Sequence, residues 1–186
     1  MQADFKVVLD ACVLAHAGVC DLFLRLAEPP RLYVPLWSAT ILEEVHRTQT
    51  TKLKRPYPIE LADYWRDEVT RAFPEAEVRG HEKLIPVMTN QEKDRHVLAT
   101  AVKGGASLIV TFNLKDFADS DLEPWEITAS HPQEYLLALH SMNPGVVVAK
   151  LAAMAHHQET DLQDVILHLG KSLPAFASRL LETLGS

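Results

Sequence analysis

TNQEKDRHVLATAVKGGASLIVTFNLKDF, residues 89–117, is the stretch whose reading decides the fold. At about 100° per residue, Val97, Leu98, Ala101 and Val102 fall on one stripe, so the spacing predicts an amphipathic helix. Thr89 and Glu92 have the spacing of a capping box at its start. Gly104-Gly105 ends it. Residues 107–111 (SLIVT) then read as a short buried strand with a polar loop behind it. Asp94 resists a packing account, because it points along the apolar stripe and a buried carboxylate needs a partner. Asn113 and Asp116 follow the strand and make it the seed of an acidic site.

Working outward, residues 5–9 form a mostly apolar run that ends in Asp10, the pattern of a buried strand with an acid at its carboxyl end. A helix follows, with Val13, Ala17, Cys20 and Leu24 on one face, and Glu28-Pro29-Pro30 stops it. Residues 31–35 (RLYVP) read as a second strand. Ser38 is the expected N-cap of a helix burying Ile41, Leu42 and Val45. On that helix Glu43 projects away from the apolar face, whereas Glu44 lies at its margin and can reach a cleft. Residues 50–58 (TTKLKRPYP) are a basic, Pro-rich loop. Residues 59–73 read as a helix with Ala62, Trp65, Val69 and Phe73 inward. Residues 126–128 read as a fourth strand, and His131-Pro132 opens a helix carrying Tyr135, Leu136 and Leu139.

Short strands alternating with helices predict an α/β domain with a short parallel sheet. In such a sheet, sites form beyond the carboxyl ends of the strands at a switch point, where Asp10, Asn113 and Asp116 are expected. Past Ser141 the pattern becomes purely helical over residues 145–154, 162–169 and 174–184. The expected division is an α/β unit at 1–140 and a small all-helical extension at 141–186.

Composition narrows the function. With 186 residues, 47% hydrophobic and 23% charged, the chain reads as an ordinary globular protein. A net charge of -7 argues against a general polyanion-coating protein. A local basic run, Arg47, Lys52, Lys54 and Arg55, can still follow nucleic-acid phosphates. No apolar run approaches the roughly 20 residues of a membrane helix, and the N-terminus lacks the pattern of a secretory signal. Cys12 and Cys20 fall about 12 Å apart on the predicted first helix, too far for a disulfide. Reduced thiols suit a cytoplasmic location. No GxGxxG or GxxxxGK[ST] phosphate loop and no GxSxG elbow occur. Asp10 is followed by Ala11-Cys12, without the second acid of an aspartyl phosphatase.

The acids Asp10, Glu44, Asp94 and Asp116, with Asn113 as a neutral oxygen donor, form a hard-oxygen set suited to Mg²⁺. Without a cation such carboxylates repel and some of their pKa values rise. With one, a phosphodiester can be hydrolysed by an activated water. The histidines carry less. His156-His157 with Asp161 invites a metal reading, but neighbouring helical side chains point apart. His96 is expected to be exposed, and His16 borders the inward face of the first helix. Trp37, Trp65 and Trp125 read as core or interface residues.

VVLDACVL around Asp10, ILEEVHR around Glu44, KDRHVLATAV around Asp94 and LIVTFNLKDF around Asp116 together resemble the PIN-domain family over roughly residues 5–137. Residues 143–184 resemble the helical extension of some VapC-type toxins. The resemblance implies an α/β/α, Mg²⁺- or Mn²⁺-dependent endoribonuclease, the toxin of a type II toxin–antitoxin pair. It implies that Asp10, Asp94 and Asp116 hold the metal, that Glu44 orients or deprotonates the attacking water, and that Asn113 and Thr111 order the site. Many relatives carry Asp at the position of Asn113, which leaves Asp116 as its substitute. Lys52, Lys54 and Arg55 are the expected phosphate contacts. RNA, a cognate antitoxin and a second copy of the chain are the implied partners. A housekeeping RNA-processing nuclease and a non-catalytic PIN-like binding module are the alternatives.

Overall fold

In the computed structural model, which describes residues 4–185, the apolar run KVVL forms strand β1 (Lys6–Leu9). It lies at the centre of a parallel sheet because Val7, Val8 and Leu9 are fully buried, as expected of a strand covered on both faces. β2 (Val34–Leu36) pairs on one side, β3 (Leu108–Val110) on the other, and β4 (Thr128–Ser130) pairs with β3. The order is β2-β1-β3-β4. The chain leaves β1 toward β2 on one side and returns as β3 on the other, so the carboxyl ends of β1 and β3 flank the switch point. The strands stand one to three residues later than the sequence predicted for β2 and β4. Residues 31–33 and 126–127 fall just outside the ladders.

Helices α1 (Ala11–Leu14) and α2 (Ala17–Ala27) replace the single first helix predicted from the apolar spacing. The break falls at Ala15-His16, where His16 takes an extended backbone, φ −89° and ψ 98°. Its ring is engaged elsewhere: Nε2 hydrogen-bonds Ser172 Oγ at 2.8 Å and the ring stacks on Phe112. α3 (Ala39–Thr51) starts as expected, with Ser38 Oγ accepting from Ile41 N. α4 (Ile59–Ala72) follows the basic loop.

α5 (Arg95–Gly104) differs most from its sequence reading. No capping box forms, because the Thr89 hydroxyl donates to Asp121 Oδ1 at 2.6 Å instead. A 3-10 turn, Glu92–Asp94, precedes the helix, and Asp94 stands at the N-cap position without making a side-chain cap. The glycine pair works as predicted. Gly105 takes the left-handed conformation at φ 67°, which ends the helix. Gly104 lets α5 approach β2: a Cβ there would lie 2.7 Å from Leu36 Cδ1 and 2.9 Å from Val78 Cγ2.

α6 (Asp119–Leu122) and α7 (Pro132–Met142) complete the helices around the sheet. α8 (Pro144–His157), α9 (Leu162–Gly170) and α10 (Pro174–Leu184) follow. Their buried Val147, Leu151, Ile166, Leu169, Phe176 and Leu180 join the same apolar core as Val8, Leu98 and Ile109. Each fully buried aliphatic side chain contributes about 1.5–3 kcal/mol. Lys150 Nζ donates to the backbone carbonyls of Glu28 and Pro29, tying α8 to the end of α2. The architecture is α/β, a short all-parallel sheet with helices packed about it and extra helices at the C-terminal end.

Candidate active site

The register that places Leu9 beside Val110 also places the residues that follow them side by side. Asp10 N still donates to Val110 O, so Asp10 and Thr111 leave the sheet together. Asp10 turns immediately into α1 and serves as its N-cap, Oδ1 accepting from Ala11 N at 2.7 Å. Its Oδ2 accepts from Thr111 Oγ1 at 2.7 Å and from Cys12 Sγ at 3.2 Å. Thr111 in turn accepts from Asn113 N at 3.0 Å, which fixes the first step of the loop after β3. The Cys12 thiol accepts from Phe112 N. Burial, then the charge of Asp10, pushes this thiol up to about 12, so it stays protonated and donates to Asp10. Sequence reading missed the role of Cys12; its signal was the spacing to Asp10, two residues away at a helix start.

Asp94 comes from the opposite side, at the N-terminus of α5. It is buried, and its Oδ2 makes no hydrogen bond. Burial raises its pKa, Lys93 opposes that rise, and Asp10 and Asp116 each add to it. Asp94 is therefore the acid on which the charges of the other two converge. Asp116, in the 3-10 turn Leu114–Asp116, is also buried. Its Oδ2 accepts from Lys93 Nζ at 2.7 Å, and this hydrogen bond holds its pKa below the usual carboxylate range. Lys93 Nζ stands 3.3 Å from Asp94 Oδ2 as well. Lys93 was not singled out in the sequence.

Glu44 stands one step back. Its Oε1 is 3.3 Å from His96 Nε2 and 3.7 Å from Arg47. His96, expected at the surface, is 7% exposed. The 3-10 segment His81–Val87 packs over that flank of α5 and covers it. The preference for Glu44 over Glu43 follows the geometry, since Glu43 is exposed and Glu44 is half-buried beside α5.

Asn113 sits half-buried in the loop after β3. Lys52, Lys54 and Arg55 are exposed in the turn between α3 and α4. Lys52 lies about 12 Å along α3 from Glu44. The structure thus brings Asp10, Asp94, Asp116, Thr111 and Asn113 to the carboxyl edge of the sheet, while the basic residues sit in the turn that follows α3. His156, His157 and Asp161 line an open surface hollow at the end of α8.

The donor chemistry at this edge suits a hard cation, and the buried Asp94 Oδ2 that makes no hydrogen bond is an atom such a cation satisfies. Among the described residues, however, no three His, Cys, Asp or Glu side chains stand close enough to share one ion. Lys93 holds two of the acids instead. No single helix among the described residues is long and apolar enough to cross a membrane.

Over 104 residues the chain is 38% identical to "Putative ribonuclease VapC50" of Mycobacterium tuberculosis, a match covering 54% of this chain and 61% of that protein. The chain thus spans about three fifths of the length of the curated relative it matches. No family model matches the chain, and no solved structure matches it. The match and the parallel sheet bear out the resemblance carried by the four motifs.

Proposed function

Taking the chain as a VapC-type PIN-domain protein, we propose that it is a Mg²⁺- or Mn²⁺-dependent endoribonuclease and the toxin of a toxin–antitoxin pair. One observation carries the reading. Asp94 is a buried carboxylate with an oxygen that makes no hydrogen bond, flanked by the charges of Asp10 and Asp116, at the switch point of a parallel sheet. Three carboxylates converge there with a single exposed ammonium, that of Lys93, and the negative charge left over is what a bound cation would offset.

Asp10, Asp94 and Asp116 would hold the ion. When bound, it neutralises phosphate oxygens and makes a nearby water a better nucleophile. Glu44, 3.3 Å from His96 beside α5, would accept the proton of the attacking water. Thr111 fixes the orientation of Asp10 and the path of the Asn113 loop. Lys52, Lys54 and Arg55 track phosphates remote from the scissile one. The nuclease unit is assigned to residues 1–140, with the helices of 141–186 buttressing it. A cognate antitoxin, a second copy of the chain and a cytoplasmic location complete the reading, on the strength of the family resemblance.

The test is cleavage of short RNA with Mn²⁺, giving products with 5′-phosphate and 3′-hydroxyl ends. The variant to use is Asp10→Asn, because Asn is as good an N-cap as Asp and keeps α1 anchored. A folded Asp10→Asn protein that cuts at the wild-type rate would sink the assignment. Mn²⁺ should also raise the unfolding temperature of the wild type. A non-catalytic RNA-binding module is the second reading. It is favoured by Lys93 lying across Asp94 and Asp116 and by Asn113 in place of an acid. RNA binding without Mn²⁺-dependent cleavage would establish it.

A further inference from the structure

Lys93 belongs to the turn Glu92–Asp94, so its backbone is tethered next to Asp94, while Asp116 arrives from the turn after β3. Nζ lies 2.7 Å from Asp116 Oδ2 and 3.3 Å from Asp94 Oδ2. One ammonium thus sits on two of the three acids assigned above to a metal ion. The side chains differ in freedom: Lys93 is 65% exposed, against 13% for Asp94 and 7% for Asp116. The carboxylates are buried, and the exposed lysine is the partner that can leave.

We infer that Lys93 is the built-in counter-cation of this site: it binds the Asp94–Asp116 pair when no metal is present and swings into solvent when a divalent ion binds. The inference rests on the metal reading above and adds to it a residue that sets the affinity. An ammonium and a divalent ion cannot share the same oxygens, because they compete for lone pairs and repel each other at that spacing. Lys93 therefore keeps the acidic site partly neutralised between metal-binding events, and a divalent ion that enters must first break its contacts. Ion pairs of which one member is exposed are weak, so the barrier is a modest one that metal can overcome.

The experiment measures Mn²⁺ binding to the metal-free full chain by titration calorimetry at fixed ionic strength, together with the unfolding temperature without metal. Lys93→Met keeps the apolar stem and removes the ammonium. Lys93→Arg keeps the charge. Lys115→Met removes a lysine that acts on Asp116 only as a nearby charge. Circular dichroism checks that each variant is folded. Lys93→Met should bind Mn²⁺ roughly two- to tenfold tighter than wild type and unfold at a lower temperature when metal-free. Lys93→Arg should stay near wild type, and Lys115→Met should change affinity much less than Lys93→Met. If wild type binds Mn²⁺ and Lys93→Met binds it no more tightly, the inference falls and the metal reading stands. Equal tightening in Lys93→Met and Lys115→Met also overturns it, since a general charge effect would then be enough. Binding by Lys93→Met alone supports the inference in its strongest form, whereas binding by neither protein removes both readings.

Discussion

Replacing Thr111 by Val tests the hydrogen bonds that hold the candidate site without depending on any assigned activity. Thr111 is fully buried, so the two side chains occupy the same packed volume and differ in the hydroxyl. That hydroxyl donates to Asp10 Oδ2 at 2.7 Å and accepts from Asn113 N at 3.0 Å. A hydrogen bond to a carboxylate is worth about 1.5–3 kcal/mol. The amide of Asn113 loses a partner too, but its residue is half-exposed and water can replace part of that loss. The net destabilisation should be about 2–3 kcal/mol. With a urea slope of about 2 kcal/mol per molar, the unfolding midpoint should fall by about 1–1.5 M, with the slope unchanged. Thr111→Ser keeps the hydroxyl and should lose less than half as much. Equilibrium urea unfolding followed by circular dichroism reads both variants. A Thr111→Val midpoint within about 0.2 M of wild type would show that the hydroxyl does not anchor Asp10, and the description of the β1–β3 edge would be wrong.

Asp94→Asn should stabilise the metal-free protein at neutral pH while abolishing Mn²⁺-dependent cleavage. Burial raises the folded-state pKa of Asp94, so its ionised form is disfavoured on folding above the ordinary carboxylate range. The gain from Asn should be present at pH 7 and fade as the pH falls below that range, where both states are protonated; urea unfolding at pH 7 and pH 3.5 measures it, and an equal gain at both would refute the electrostatic cause. Neutralising Lys52, Lys54 and Arg55 together should leave unfolding within about 0.5 kcal/mol of wild type, because all three are exposed. The same change should flatten the salt dependence of single-stranded RNA binding by up to about 2 in the logarithmic slope, and an unchanged slope would remove this loop from the RNA path.

The order of strands and helices was legible because apolar runs and breakers are local signals. Residues 5–9, the Gly104-Gly105 stop and the Ser38 cap carry their own instructions. The errors came where a distant residue decided the outcome. Thr89 and Glu92 satisfy the spacing of a capping box, but the Thr89 hydroxyl is taken by Asp121, and α5 starts after Asp94 instead. His96 falls off the apolar stripe, yet the segment His81–Val87 covers it. The first helix splits at His16, whose ring bonds Ser172 on the far side of the sequence. At the site, Asp10, Asp94 and Asp116 were visible as acids at strand ends or on an inward face. Cys12 and Lys93 were not: the cue for Cys12 was only its place two residues after Asp10, and a lysine has no position-specific signal until the fold sets it beside a carboxylate.

The three aspartates differ in how far the protein itself satisfies them, and that difference separates architecture from chemistry. Asp10 is fully engaged: it caps α1 and receives the hydroxyl of Thr111 and the thiol of Cys12, so it belongs to the framework that joins β1 to β3. Asp116 is engaged chiefly by a lysine that reaches it from solvent. Asp94, though buried, meets the same ammonium at a longer 3.3 Å, and its Oδ2 has no hydrogen bond to shorten that contact. Burying such an oxygen costs stability that a folded chain can recover by placing a donor there. Here the available N–H groups at the start of α5 are not turned to that use, since Asp94 occupies the cap position without capping. The site is therefore built with one acid fixed in the framework and two buried acids that share one exposed lysine. Such a gradient has no value for packing, and its sign favours an added positive charge at Asp94.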